Sequence, residues 1–255
     1  MPGHDTWLTL ILEHIKETLD HNAALLGETF VGHHPATWHV FEPILASALV
    51  MLVLVALATR VRSQLTDTAS AVIPDTSLTL RTFMEAFIGY FHDMAKNMMG
   101  PVRAKKYFPL IGASALFVFF SNILALLPGF PVPTSHLSVT AGCALVVFVL
   151  FNVYGLMANG SAYIKHLFGP AWYLAPLLFV IEVISLCVRP VTLAVRLMLN
   201  MAVDHLIMGI LLSMFPLFLP LPVMVLGVLV IAVQTLVFTM LTCIYIGLAT
   251  EHLEH

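Results

Sequence analysis

Residues 171–215 have the sequence AWYLAPLLFVIEVISLCVRPVTLAVRLMLNMAVDHLIMGILLSMF, an apolar run with four charged side chains within 23 positions: Glu182, Arg189, Arg196 and Asp204. An ionisable side chain inside a membrane helix costs roughly 2.5–3.5 kcal/mol on insertion scales, so such residues are rare unless they face a water-filled cavity or a charged partner. Four of them on one helix, with both signs of charge, therefore indicate a path for an ion or a proton.

The composition of the whole chain indicates a membrane protein. Of its 255 residues, 60% are hydrophobic and 10% are charged, whereas an average soluble domain has about 25% charged residues. About 20 apolar residues cross the ~30 Å hydrocarbon core of a bilayer. We therefore predict an all-α polytopic membrane protein with about five spans, at residues 43–59, 108–127, 137–158, 171–215 and 223–249.

The chain is predicted to form a single membrane domain over residues 1–255, because no linker, repeat or low-complexity segment divides it. Basic residues predict its orientation, since cytoplasmic loops carry an excess of Lys and Arg. Eight of the 11 Lys and Arg lie in residues 60–106 or at Lys165. We expect these segments and the C-terminus on the cytoplasmic side, membrane helices over 43–249, and an extracytoplasmic N-terminal segment at 1–42.

Residues 77–98 differ from the spans because their apolar and polar side chains alternate at helical spacing. The predicted apolar face consists of Leu80, Phe83, Phe87, Phe91, Met94 and Met98. The predicted polar face consists of Arg81, Glu85, His92 and Lys96. Two alternatives follow for this amphipathic helix: it lies on the cytoplasmic face of the membrane, or it packs on another subunit.

The fifth span is too long for an upright crossing of the bilayer. At ~1.5 Å per residue, a helix over residues 171–215 would measure roughly 67 Å, about twice the bilayer core. The segment must therefore tilt strongly, bend or project from the membrane. Pro176 and Pro190 are the candidate bend points, because proline disturbs the helical hydrogen-bond ladder.

Polar groups lie on both sides of Arg196 along this helix. Asn200 follows it by four residues and shares its face. Glu182 lies ~21 Å away toward the predicted cytoplasmic side, within about 40° of that face. Asp204 and His205 lie toward the predicted outer side. The spacing therefore predicts a central arginine with titratable groups reaching it from opposite sides of the membrane.

Structural roles are the alternatives for the individual residues. An intramembrane arginine can pair with Glu182 as a strut, or it can extend its head group from a helix end into the interface. The second role suits Arg189 better than Arg196, because Arg189 lies nearer the cytoplasmic side. His205 and Gln234 can instead satisfy hydrogen bonds in the protein core.

From Glu182 to Asn200 the chain resembles subunit a of F-type ATP synthases. Members of that family have the pattern E-x-I-S-x-x-x-[KRQ]-P-x-[ST]-L-x-x-R-L-x-x-N. The matching positions are Glu182, Ser185, Pro190, Leu193, Arg196, Leu197 and Asn200. Further similar segments are Tyr107-Phe-Pro-Leu-Ile, Ser121-Asn122, Leu127-Pro128-Gly129, Pro133-Thr134-Ser135 and Gln234. The resemblance covers residues 40–248.

The resemblance implies a stator subunit that is not catalytic by itself. Subunit a lies beside a rotating c-ring, and two offset aqueous half-channels reach the ring from opposite sides. Proton flow through them drives rotation and ATP synthesis elsewhere in the complex. The implied partners are the c-ring, peripheral stalk subunit b, other ATP synthase subunits and lipid, with no nucleic acid, cofactor or metal. The implied location is the bacterial plasma (inner) membrane, with the mitochondrial inner membrane as the alternative.

The same resemblance assigns roles to individual residues. The residues it implicates in proton translocation are Arg196, Glu182, Asp204, His205, Asn200, Gln234 and Arg189. Arg196 would deprotonate passing ring carboxyls, while Asn200 and Gln234 would position it or water. Asp204 and His205 would belong to the outer half-channel, and Glu182 to the inner one, with Arg189 at its rim.

The chain departs from the family pattern near Asp204. Many bacterial relatives have Gly-Glu where this chain has Asp204-His205, and a histidine seven residues before the glutamine of the last helix. Seven residues before Gln234 this chain has Gly227, which cannot titrate. Our hypothesis is a spatial exchange, in which Asp204 supplies from the fifth span the titratable group that the last span lacks.

Two rival classes of protein remain to be distinguished from this assignment. One is a secondary transporter, but these usually contain internal repeats and unwound midplane helices, and the chain shows neither. The other is a purely structural membrane subunit or a channel with gating charge; a voltage sensor needs several regularly spaced arginines, and the chain has one pair seven residues apart. It also lacks the phosphate-binding pattern G-x-x-x-x-G-K-[ST], so nucleotide chemistry must lie elsewhere. His33, His34 and His39 lack a fixed ligand spacing, and we predict solvated side chains there.

Overall fold

The computed structural model describes residues 42–64, 79–127, 130–160, 163, 175–214 and 220–251, and its regular structure there is helical throughout. Six α-helices follow one another: α1 (Glu42–Gln64), α2 (Leu80–Met99), α3 (Pro101–Ile123), α4 (Leu137–Asn159), α5 (Ala175–Met214) and α6 (Pro220–Ala249). Two short 3-10 turns, Leu124–Leu126 and Pro133–Ser135, lie between α3 and α4. The predicted all-α fold class is confirmed.

Five helices are long and apolar enough to cross a membrane, namely α1, α3, α4, α5 and α6. They correspond in order to the five predicted spans. The largest difference in bounds is at α3, which begins at Pro101 rather than at 108. Pro101 occupies the first turn, where its missing N–H costs nothing, so the helix includes the basic residues before the apolar run. The chain is therefore a multi-pass membrane protein.

The helices pack around α3 and α6. Residues Ala104, Ile111, Ala115 and Val118 of α3 are fully buried, and their spacing of three, four and seven residues places them on one stripe. Small side chains on such a stripe allow close approach of neighbouring helices in a membrane. Helix α3 packs against α2 and α6, while α5 packs against α4 and α6. Helix α3 therefore packs against α6, and α4 packs against both α5 and α6.

Helix α2 confirms the predicted amphipathic helix and fixes its ends. Thr79 caps the first turn by accepting a hydrogen bond from the backbone N–H of Thr82. The helix ends at Gly100, whose φ of 83° is a conformation that favours glycine. Helix α3 begins at the next residue, so Gly100 forms the corner between them. Residues 65–78, which include the start predicted at Ser77, lie outside the described residues.

The packed face of α2 differs from the prediction. Leu80, Phe83 and Met98 were assigned to the apolar face, yet each is more than a third exposed, whereas Arg81, assigned to the polar face, is only 9% exposed. The reason is that α2 packs against α3 and α6 through a second stripe. That stripe consists of Met84, Phe91, Ala95 and Met99. Arg81 tolerates burial because its Nε donates to the Glu85 Oε1 over 2.8 Å.

Helix α5 is the longest element, with 40 residues and a length of about 60 Å. It runs without interruption through Pro190, so this predicted bend point does not break the helix. Pro176 is the second residue of α5, where proline is tolerated because the first turn needs no N–H partner. The polar loop with Lys165 and the turn at Pro216 lie outside the described residues.

Helices α5 and α6 run antiparallel. Arg189 lies over the ring of Tyr245, Asn200 contacts Gln234, and Asp204 shares a cavity with Gly227. Positions that rise along α5 therefore meet positions that fall along α6. This register places Arg189, Asn200 and Asp204 beside defined turns of α6.

Candidate functional site

The centre of the α5–α6 pair is a hydrogen bond between two amide side chains. The Asn200 Nδ2 donates to the Gln234 Oε1 over 2.6 Å, and Gln234 is only 3% exposed. Arg196 precedes Asn200 by one helical turn and therefore lies on the same face of α5. The structure thus brings together two predicted site residues that are 34 positions apart, and places the third one turn away.

Arg196 lies on an exposed and largely apolar surface. The exposed neighbours on the same face of α5 are Leu199 and Val203 together with Thr192 and Asn200. A guanidinium remains charged in essentially any protein setting. Arg196 therefore provides a fixed positive charge on a surface that lipid or another protein must cover.

We call the region around Glu182 and Arg189 the Glu182 end of the α5–α6 pair. The Arg189 guanidinium carbon lies 5.5 Å from the centre of the Tyr245 ring, a cation–π distance. Tyr163, from the segment between α4 and α5, has a pKa raised by burial; the Arg189 charge lowers this pKa and the Glu182 charge raises it. The charges of Glu182 and Arg189 therefore both act on Tyr163.

We call the region around Asp204 the Asp204 end. Asp204 and Gly227 line a cavity of about 80 Å³ between α5, α6 and the 3-10 turn that follows α3. Its other lining residues are Ala125, Leu126, Ile207, Met208, Val223, Leu226 and Ile231. A cavity of this volume has room for several water molecules. A carboxylate within an otherwise apolar lining is a group that can exchange protons with such water.

His205 is half-buried beside Asp204. It lies nine residues after Arg196, which turns it about 180° around the helix. Asp204, eight residues after Arg196, lies about 80° around the helix from it. The two residues predicted together for the outer half-channel therefore occupy different faces of α5, and among them Asp204 is the one that lines the cavity.

Sequence reasoning assigned no role to a buried polar group between α3 and the 3-10 turn Pro133–Ser135. The Thr134 Oγ1 donates to the Asn122 Oδ1 over 2.7 Å, and both residues are fully buried. The Asn122 Nδ2 and the neighbouring Ser121 Oγ have no hydrogen-bond partner among the described residues. Buried polar atoms are nearly always paired with protein or water, so this group is a further place that can hold water.

The buried polar group lies close to the α5–α6 pair. Val132, two positions before Thr134, packs with Met201 of α5 and Ile231 of α6. The signal for it in the sequence was the presence of Ser121-Asn122 and Thr134 in apolar surroundings. These residues belong to segments that resemble the family, but nothing in the local pattern predicted that a side chain from α3 meets one from the following turn.

The family model described as "ATP synthase A chain" matches residues 44–247. The chain belongs to this family. Among its relatives, the ATP synthase subunit a of Sorangium cellulosum (strain So ce56) is 57% identical over 255 residues, covering 100% of both chains. The ATP synthase subunit a 1 of Syntrophotalea carbinolica is 40% identical over 203 residues, covering 80% of this chain and 83% of the relative.

A third relative, the ATP synthase subunit a of Geobacter sulfurreducens, is 44% identical over 167 residues, covering 66% of this chain and 72% of the relative. Membership in the ATP synthase A chain family confirms the predicted resemblance. It identifies the chain as a proton-transport component of an F-type ATP synthase, with other subunits of that complex as its partners. The matched segment contains α2, α3, α4 and α5 entirely, together with nearly all of α1 and α6.

Proposed function

We propose that this chain is the non-catalytic stator through which protons reach and leave a rotating c-ring. The observation that carries the proposal is the position of Arg196, a fixed charge on an exposed apolar face, one turn from the Asn200–Gln234 hydrogen bond. A charge on such a surface is costly unless a complementary group meets it. A membrane rotor whose subunits each present a carboxyl group would supply that partner.

Arg196 would act through its effect on a passing carboxyl. A nearby fixed cation favours the ionised form of a carboxyl and so lowers its pKa, and each pKa unit corresponds to ~1.4 kcal/mol. A rotor carboxyl that reaches Arg196 would therefore release its proton before it passes. The same charge would repel a proton that moves directly between the two half-channels. Lysine would be a weaker substitute, because burial readily lowers its pKa.

The Asp204 end would be the outer half-channel. The cavity that Asp204 shares with Gly227 supports the exchange hypothesis, since the two residues lie on facing turns of α5 and α6. An ideal Cβ on Gly227 would lie 3.4 Å from the Leu126 Cδ2, an ordinary van der Waals contact. The glycine position therefore has room for a Cβ, and Asp204 lines the same cavity from the opposite helix. His205 would contribute from the neighbouring face of α5.

The Glu182 end would be the inner half-channel. Glu182 lies two helical turns before Arg189 and on the same face, and both residues are half-buried. The position of Arg189 over Tyr245 would hold its charge at the rim of the exit. A proton released from the rotor beside Arg196 would thus leave past Glu182 and Arg189.

The remaining features of the proposal concern assembly and topology. The c-ring would cover the exposed face of α5 and α6, peripheral stalk subunit b would contact another part of the chain, and lipid would cover the rest. We propose a single membrane domain in a bacterial inner membrane, with the N-terminus outside and the C-terminus in the cytoplasm. Residues 1–41, including His33, His34 and His39, lie outside the described residues.

Loss of the central charge gives the strongest test. In inverted vesicles containing the assembled ATP synthase, we expect Arg196→Ala to reduce ATP-driven acidification by about 100-fold, the effect typical of removing a preorganised charge. Leu199→Ala is the matched control, because Leu199 is exposed one turn later on the same face. It should leave most of the acidification intact.

Complex assembly in that test is checked by the amount of chain in the membrane and by ATP hydrolysis. Retained pumping in Arg196→Ala, with the complex intact, would reduce Arg196 to a structural residue. The proposed path of protons past Arg196 would then be wrong, although the family assignment would stand.

A further inference from the structure

One face of α4 holds Tyr163 against the Glu182 end. The Tyr163 hydroxyl donates to the Asn152 Oδ1 over 3.0 Å. One turn later on α4, an ideal Cβ on Gly155 would lie 2.9 Å from the Tyr163 Cε2, so the phenol ring packs on bare backbone. Two different contacts, one polar and one steric, therefore fix the same side chain.

The direction of the Asn152–Tyr163 hydrogen bond follows from the hydrogen bond that the Asn152 Nδ2 makes. The Asn152 Nδ2 donates to the Phe148 backbone oxygen over 2.7 Å, so the Oδ1 is the atom available to Tyr163. Because the phenol proton is committed to Asn152, the hydroxyl interacts with any further partner only as an acceptor. Tyr163 thus cannot pass its own proton on, but it can hold a donor in place.

The groups around Tyr163 belong to three helices. The charges of Arg189 and Glu182 on α5 act on its pKa, which burial raises above the ordinary value. Helix α4 contributes Asn152, and α6 contributes Tyr245 only through Arg189, which lies over its ring. Lys165 and His166, which follow Tyr163 in the chain, lie outside the described residues. The raised pKa favours the neutral phenol, so the hydroxyl keeps its proton.

We propose that Tyr163 is a positioning residue of the inner half-channel, whose hydroxyl, oriented by Asn152, accepts a hydrogen bond from the proton-bearing water that exchanges with Glu182. The inference rests on the proposed function, because it assigns the Glu182 end to the inner half-channel. The hydroxyl stabilises the protonated side of that exchange. Its loss should therefore make proton uptake from the cytoplasmic side require a lower pH.

ATP-driven acidification of inverted vesicles, which contain the whole complex, tests this directly. Their bulk medium is the cytoplasmic side, and its pH can be varied from 6 to 9 at a fixed starting pH inside. Pumping should fall as the external pH rises, and we expect Tyr163→Phe to lower the pH of half-maximal pumping by about half a unit. This is the size of effect expected from one lost hydrogen bond. Changing the internal pH instead should reveal no difference.

Two further variants separate the hydroxyl from mere packing. Tyr154→Phe makes the same change on α4, at a ring that packs against Tyr107 at 4.9 Å, and should leave the pH profile of wild type. Asn152→Leu should produce the same shift as Tyr163→Phe, and the double variant should shift no further, because both changes remove one interaction. ATP hydrolysis verifies assembly in every case.

A wild-type profile for Tyr163→Phe would overturn the inference, as would an equal loss of pumping at every pH. These results are distinguishable from failure of the proposed function. If Arg196→Ala abolishes pumping while Tyr163→Phe behaves as wild type, only the role of Tyr163 is wrong. If Arg196→Ala pumps normally, the assignment of the two half-channels itself fails.

Discussion

The two ends of the α5–α6 pair accommodate charge in different ways. At the Asp204 end, a single carboxyl lines a cavity of about 80 Å³ between two helices and a 3-10 turn. At the Glu182 end, a carboxyl and a guanidinium lie among aromatic side chains, with Arg189 over Tyr245. The Asp204 end therefore has space for water around one titratable group. The Glu182 end instead has two opposite charges, one of which lies over a phenol ring.

Glycine makes each arrangement possible, but for opposite reasons. A Cβ on Gly227 would meet the Leu126 Cδ2 at 3.4 Å, so the cavity tolerates a side chain there. A Cβ on Gly155 would meet Tyr163 at 2.9 Å and the Ala249 backbone oxygen at 3.0 Å, so that position tolerates none. The Asp204 end has spare volume, and the Glu182 end is closed by packing. Addition of a single methyl group should therefore be accepted at Gly227 and rejected at Gly155.

The largest effect that distinguishes the two ends should come from Asp204→Gly. We expect ATP-driven proton pumping to fall about tenfold, less than the roughly 100-fold typical of a proton-transfer side chain, because water in the cavity replaces part of its role. Adding Gly227→His should restore part of the activity, since the imidazole enters the space that the carboxyl leaves. Pumping by vesicles with intact ATP hydrolysis is the measurement.

Ala202→Gly is the control for Asp204→Gly. It places a glycine two residues earlier in α5 without touching the cavity lining, and its helix-propensity cost of roughly 1 kcal/mol exceeds that of Asp204→Gly. The exchange hypothesis is wrong if the double variant pumps no better than Asp204→Gly alone. Gly227→His by itself should impair pumping, because the cavity then holds both side chains.

The apolar pattern was sufficient to predict the membrane helices but not their mutual packing. Five spans follow from hydrophobic length, because each helix satisfies its own backbone hydrogen bonds in lipid. The face of α2 was mispredicted because its partners, α3 and α6, were unknown. An amphipathic pattern indicates which side of a helix is more apolar, whereas burial depends on the neighbouring helices. Arg81 is buried because its pairing with Glu85 on the same helix satisfies its charge.

The candidate site was predictable where its residues lie on one helix. Arg196 and Asn200 follow from spacing along α5, and their chemistry from the rarity of charge in a membrane. The contact of Asn200 with Gln234 depended on the register between α5 and α6, which the family resemblance implied and the pattern alone did not. Tyr163 and Asn152 were missed because a phenol outside the spans and an amide within one carry no local signal of contact.

A moderate effect is expected from Arg189 at the Glu182 end. Removing its charge by Arg189→Gln should lower ATP-driven pumping about threefold, a change equivalent to a cation–π contact of roughly 0.5–1 kcal/mol. Arg189→Lys should retain most of the activity, because it preserves the charge. Rates of acidification, normalised to ATP hydrolysis, compare the three proteins.

The lysine variant at position 189 decides which feature of the residue matters. If Arg189→Lys is as impaired as Arg189→Gln, then planar stacking on Tyr245, rather than charge, supports the exit. If neither variant differs from wild type, the Glu182 end does not depend on a cation at its rim, and the contrast between the two ends becomes one of volume alone.

The smallest effect should come from Asn159, which holds α6 to α4 beyond the titratable residues. Its Nδ2 donates to the backbone oxygens of Ala249, over 3.2 Å, and Glu251, over 2.8 Å, so it satisfies carbonyls that the end of a helix leaves unpaired. Asn159→Ala should destabilise this end by about 1 kcal/mol. Backbone amides in the last turn of α6, including that of Thr250, should then exchange hydrogen faster in the intact complex.

Proton pumping should be unchanged in Asn159→Ala, because this contact closes the Glu182 end without touching Glu182 or Arg189. Asn97→Ala, at an exposed position of α2, controls for loss of an amide and should leave exchange in α6 as in wild type. If Asn159→Ala also moves the pH profile of pumping, the packed face of α4 transmits the change to Tyr163. The packing of α4 against α6 would then also determine the position of the Tyr163 hydroxyl.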